Sequence, residues 1–128
     1  MASKVPEDLR YSKEHEWLKV EGATGRVGIT DHAQHELTDI VYVKLPAKGQ
    51  KVKAGDTLGE VESIKSVSPI YSPASGTVAD TNTALEQTPE VMNQDPYGKG
   101  WFVVLQLDSP GEAAKLLDAK GYRAHIGE

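Results

Sequence analysis

The chain has 128 residues, 38% of them hydrophobic and 26% charged, enough for one domain with a buried core. A net charge of −5, with acids and bases interspersed, argues against nucleic acid or an anionic membrane as partner. Zero cysteines exclude a disulfide framework, a cysteine zinc site and a thiol nucleophile, and the longest strongly apolar run, Trp101 to Leu105, is too short to cross a bilayer.

Met1 to Arg10 carries no apolar targeting core, and 12 glycines with 7 prolines point to many tight turns and hence to β structure. Glu16 to Val20 and Arg26 to Ile29 are β-like runs around Gly22-Ala23-Thr24-Gly25, which predicts a hairpin. A short helix follows over Asp31 to Leu37, capped by Thr30 or Asp31. It gives way to Ile40-Val41-Tyr42-Val43, too β-branched to stay helical. Turns at Pro46 to Gly49 and Ala54 to Asp56 bracket Val52, and Thr57 to Glu62 is again strand-like. After a turn at Pro73 to Gly76, Thr77-Val78-Ala79 resumes a strand. Thr83 to Gln87 forms a helical turn, Pro89 to Gly100 holds several turn residues, and Trp101 to Leu107 is the clearest strand of all. Ser109-Pro110-Gly111-Glu112 has capping-box spacing, so a C-terminal helix is expected over about 109–120, stopped by Gly121. The expected fold is mainly β, an antiparallel sandwich or flattened barrel with short peripheral helices. It forms a single domain over 1–128, with a hairpin core over about 40–107.

An approximate symmetry surrounds Lys65. A turn at Gly55-Asp56, a short strand, the lysine, a second extended run and a turn ending at Gly76 place Ser63-Ile64-Lys65-Ser66 at the far end of a hairpin. Any one of the eleven lysines could be a solvated charge. The context distinguishes this one. Gly55-Asp56-x-Leu58-x-x-Val61-Glu62-Ser63-x-Lys65, followed by Ile70-x-Ser72-Pro73-x-Ser75-Gly76-x-Val78, resembles the lipoyl and biotinyl carrier fold.

Within that fold the chain resembles the glycine cleavage H-protein family over nearly its whole length. The opening Tyr11-x-x-Glu14-His15-Glu16-Trp17, the block Val27 to Gln34, the hairpin Glu60-Val61-Glu62-Ser63-Ile64-Lys65 and the late turn Asn93 to Trp101 are its four ordered motifs. The resemblance implies that Lys65 carries lipoic acid in amide linkage, with Glu62, Ser63, Ile64 and Ser66 forming the lipoylation hairpin. It implies four partners: a pyridoxal-phosphate glycine decarboxylase, a tetrahydrofolate-dependent aminomethyltransferase, an FAD-containing dihydrolipoyl dehydrogenase and a lipoylating enzyme. The chain itself is then a non-catalytic carrier, expected as a monomer in a bacterial cytoplasm, with the mitochondrial matrix as the other compartment. A relay protein that supplies lipoyl groups to other complexes would share this signature. A biotin carrier fits less well, since its lysine usually lies between methionines and Lys65 lies between Ile64 and Ser66.

Lysine suits an arm because its stem is long and unbranched. With the lipoyl chain it reaches on the order of 14 Å. The amine is almost wholly protonated at neutral pH, so an enzyme must deprotonate it before acylation. Glu14 and Glu16 are candidates for a surface cleft that receives the arm's cationic cargo. Where the family commonly has an acid, this chain has Pro69. His32 and His35, three residues apart beside Asp31 and Glu36, lack an evident third and fourth ligand, and no metal site is expected. Trp17 and Trp101 read as packing residues, and Gly98-Lys99-Gly100 as a tight turn.

Overall fold

The structure is a computed structural model that describes residues 3–128; Met1 and Ala2, inside the expected domain limits, lie outside the described residues. Among the described residues nine strands form two antiparallel sheets. The strands are β1 (Arg10–Tyr11), β2 (Glu16–Glu21), β3 (Thr24–Ile29), β4 (Ile40–Lys44), β5 (Lys51–Val52), β6 (Thr57–Ser63), β7 (Val67–Tyr71), β8 (Gly76–Thr81) and β9 (Val103–Leu107). The larger sheet runs β1-β2-β3-β9-β8-β5 and the smaller β4-β6-β7, so the sandwich alternative is the one adopted.

Inward-facing residues of the two sheets supply the core. Leu18 and Val27 from the large sheet meet Val43, Val61 and Ile70 from the small one, and all are nearly inaccessible. Gly59 lets β6 lie close to its neighbour: a Cβ there would stand 2.2 Å from the Lys44 carbonyl oxygen. A second cluster, Val5, Leu9, Tyr11, Trp17, Ala119 and Tyr122, forms where the N-terminal segment meets the C-terminal helix. Trp17 belongs to it as a packing residue, its indole N–H donating to the Pro96 carbonyl at 3.0 Å. Trp101 is half-buried beneath the Arg26 guanidinium, 5.4 Å from the ring centre.

The first hairpin closes tighter than the four-residue loop expected, because Gly22, at φ 63°, admits a two-residue turn between Glu21 and Thr24. Helix α1 (Asp31–Leu37) is capped by Thr30, whose hydroxyl accepts from the Ala33 amide. A short helix α2 (Val91–Gln94) lies within the turn-rich stretch before Trp101. The C-terminal helix differs from expectation. Pro110–Lys115 is a 3-10 helix, and the α-helix α3 spans Ala119–His125. Ser109 makes no side-chain cap: the Glu112 amide donates to the Ser109 backbone carbonyl at 2.9 Å, and the Glu112 carboxylate accepts from the Ser75 amide at 2.7 Å across the fold. Asp118 caps α3 by accepting from the Gly121 amide, so Gly121 sits in the first turn and does not end the helix.

Candidate functional site: an exposed lysine and a buried carboxylate

Lys65 stands on the turn joining β6 to β7, exposed to solvent. Ser63 builds that turn. Its amide donates to the Ser66 carbonyl at 2.8 Å, and its hydroxyl accepts from the amides of Lys65 and Ser66 at 3.1 and 3.0 Å. The tip is tied to the chain segment after α1: the Ile64 amide donates to the Asp39 carbonyl at 3.0 Å, and Lys65 Nζ reaches the Glu36 carbonyl at 3.5 Å. Thr38, between these two acceptors, has φ 63°, a left-handed conformation uncommon for a β-branched residue. The backbone is thus held, and the exposed side chain is anchored only by that long contact at its end.

Glu62 lies one position before the turn, paired with Tyr42 on one side and Val67 on the other. The expected hairpin residues Glu62, Ser63, Ile64 and Ser66 are therefore together with Lys65.

The other end of β7 is different. The Tyr71 amide points away from β6 and donates to Glu16 Oε2 at 3.3 Å, and the Ser12 hydroxyl donates to Glu16 Oε1 at 2.6 Å. Glu16 is only 2% exposed, and burial pushes its carboxyl up to about 7 although both hydrogen bonds favour the charged form. Pro69 is two residues before Tyr71, so its missing N–H falls on the same outer edge, where no ladder bond is lost. A cleft of about 270 Å³ beside this edge is lined by Ser12, Glu14, Gly55, Ser72, Pro73 and Leu117 among others. The two acids are thus separated in role: Glu14 is exposed on the cleft wall, whereas Glu16 is buried beneath its partner Ser12.

The histidines of α1 pair with acids one turn away. His32 lies 3.7 Å from Glu36, and His35 lies 3.5 Å from Asp31. Among the described residues no three histidine or carboxylate side chains converge as a ligand set. The His32 ring lies tilted beside His15, with ring centres 4.8 Å apart, and the His125 ring lies 5.8 Å from His15. Burial and these two imidazoles push the His15 ring below the usual histidine range, while its Nδ1 shares a 2.8 Å hydrogen bond with the Tyr122 hydroxyl.

The sequence and fold of the whole chain were compared with known proteins. The family model described as "Glycine cleavage H-protein" matches residues 9–128. The chain belongs to the glycine cleavage H-protein family. Its sequence is 54% identical to the glycine cleavage system H protein of Symbiobacterium thermophilum over 124 residues, 97% of each chain. It is 52% identical to that of Coprothermobacter proteolyticus over 126 residues, covering 98% of this chain and 99% of the other. The crystal structure of a glycine cleavage system H protein from Mycobacterium marinum superposes with a TM-score of 0.88 at 42% identity, covering 97% of this chain and all of the other. Family membership makes the chain a carrier component of the glycine cleavage system.

Within an H-protein frame, the residues that sequence reasoning missed stand at unspecified motif positions or act through their backbone. Ser12 has no motif of its own, and Asp39 and Glu36 serve through backbone carbonyls that any residue could supply.

Proposed function

We propose that Lys65 bears lipoic acid in amide linkage and that the hairpin and the Glu16 site are the two ends of the arm's working range. The single observation that carries this reading is an exposed lysine on a turn whose backbone is held by Ser63. When bound, the dithiolane supplies the group-carrying and redox chemistry by which an aminomethyl group passes from glycine decarboxylase to the tetrahydrofolate-dependent aminomethyltransferase, and electrons pass to the FAD of dihydrolipoyl dehydrogenase.

The chain's own part is mechanical and electrostatic. Ser63 fixes the pivot, so the enzyme that acylates Lys65 meets one backbone geometry. From Lys65, two residues before β7, to Tyr71 is six residues, at most about 20 Å, so an arm on the order of 14 Å laid along the strand, with its cargo beyond the sulfur, would carry that cargo toward Tyr71. There Glu16 can accept a hydrogen bond from a cargo ammonium. A carboxyl poised at about 7 is partly protonated at neutral pH, and an arriving cation would draw it to the charged form, releasing a proton. Glu14 stands on the cleft wall, where Lys13 and Lys115 also line it. Burial of the contact keeps water from the labile cargo.

Intact mass after expression in a lipoylating host tests the attachment. Wild-type chain is expected to gain one lipoyl group, and Lys65→Arg none while keeping the wild-type circular dichroism, because Arg preserves charge and reach but is not acylated in the same way. A full lipoyl addition on Lys65→Arg would place the arm on another lysine.

A further inference from the structure

Five large hydrophobic side chains are exposed among the described residues, and four of them, Val41, Tyr42, Ile64 and Val67, gather around Lys65. Ile64 precedes the lysine and Val67 opens β7. Tyr42 lies in the same cross-strand row as Val67, with Glu62 between them. Val41 and Tyr42 come from β4, outside the hairpin.

Their exposure is built into the backbone. In a regular strand Ile40 and Tyr42 would share a face, and Val41 and Val43 the other. The β4–β6 register shifts between Ile40 and Tyr42, a bulge that leaves Val41 without a partner. Ile40 and Val43 both turn into the core, each 2% exposed, while Val41 and Tyr42 stand outside at 54% and 51%. A protein with no use for this face would gain by making these positions polar.

The rim is acidic. Glu62 lies within the patch and Glu60 in the next row, between Lys44 and Pro69. Asp39 lies beside the turn through its contact with Ile64. None of these three acids makes an ion pair among the described residues, so they are available to a partner.

We propose that Val41 and Tyr42 of β4, with Ile64 and Val67 of the hairpin, form the docking surface for the enzyme that acylates Lys65, a partner whose contact face is apolar and rimmed by arginine or lysine. The proposal rests on the reading of Lys65 as the acylated residue. Reach selects this partner over the others. Acylation requires the amine to attack an activated lipoyl carboxylate, a nucleotide mixed anhydride or a thioester. One ammonium proton passes to a base on the enzyme to free the amine, and the N–C bond forms. As the tetrahedral adduct collapses, the leaving group departs with the electrons of its bond to the acyl carbon while the second proton leaves the nitrogen for that base or the leaving group. The acyl carbon must therefore come to Nζ, about 6 Å from the lysine Cα, and the enzyme must cover the hairpin's surroundings. Enzymes that handle the dithiolane meet it on the order of 14 Å away and need not touch β4.

The test uses the unmodified full chain, purified lipoylating enzyme and the double variant Val41→Ser/Tyr42→Ser, whose positions are exposed; thermal melting checks that it folds. The KM for lipoylation should rise tenfold or more, and binding of the wild-type chain to the enzyme should weaken as salt increases. Variant loaded to completion by prolonged incubation should be reoxidised by dihydrolipoyl dehydrogenase at the wild-type rate. Unchanged lipoylation kinetics would overturn the proposal. An equal loss in both reactions would also overturn it, because the face would then serve every partner alike. Peptide mapping of the wild-type product separates the two readings: lipoyl absent from Lys65 would overturn the underlying attachment and this surface with it.

Discussion

The two ends of β7 solve opposite problems. At the Lys65 end the backbone is fixed by a serine hydroxyl and by the bond from the Ile64 amide to the Asp39 carbonyl, and the side chains around it are left in solvent. At the Tyr71 end the backbone amide itself is a ligand, and the acid it holds is dry, 2% exposed, and shifted by burial. A pivot must be ordered yet approachable. A receptor for a water-labile cation must be desolvated, and desolvation raises the cost of the very charge it needs. On the proposed reading one strand offers both without a conformational change, since β6–β7 pairing links the two ends.

The strongest way to sharpen that contrast is Glu16→Gln. A charge-assisted hydrogen bond contributes roughly 1.5–3 kcal/mol, so loaded protein without aminomethyltransferase should release formaldehyde about tenfold faster in the variant, with lipoylation unaffected. Equal release rates would make Glu16 a structural residue only. The same variant reports on the cost of burial. Because the folded carboxyl is raised from 4.5 to about 7, its contribution to stability is complete below about pH 4.5 and is lost as pH rises through about 7. Wild type should therefore lose stability relative to Glu16→Gln across that window, by up to about 3 kcal/mol. Urea midpoints at pH 5 and pH 8 measure this, and parallel curves would contradict the shift.

Gly59→Ala should break the contrast by disturbing the strand that joins both ends. Its Cβ would stand 2.2 Å from the Lys44 carbonyl, so β4 and β6 must part. Overpacking of this kind costs about 1–3 kcal/mol, read as a lower urea midpoint, and the tip should become a poorer lipoylation substrate. The smallest effect is expected from Ser63→Ala. It removes the acceptor for two exposed amides, worth about 1 kcal/mol. Hydrogen exchange at Lys65 and Ser66 should accelerate while the Tyr71 amide stays protected. Faster exchange at both ends would mean that the pivot and the receptor are not independent.

Most strands were legible because their cause is local: β-branched runs between glycine and proline turns, as in Ile40 to Lys44 and Thr57 to Ser63. Lys65 was legible for the same reason, its motif lying within twenty residues on either side. Glu16 was legible as a candidate but not in its setting, for a surface cleft was expected and the side chain is buried beneath Ser12. The capping box at Ser109 to Glu112 was not made, for the Glu112 carboxylate accepts from Ser75, 37 residues away, and the α-helix starts instead behind Asp118.

By itself, the sequence determined where the chain turns, that it is mainly β, which lysine stands at the hairpin end and which family it belongs to. All of these rest on local pattern and ordered motifs. Only the tertiary structure decided that the β4 bulge turns Val41 and Tyr42 outward beside Lys65, and that Glu16 meets the Tyr71 amide in a dry site. Register between strands and the desolvation of a side chain depend on partners distant in sequence, and no local pattern specifies them.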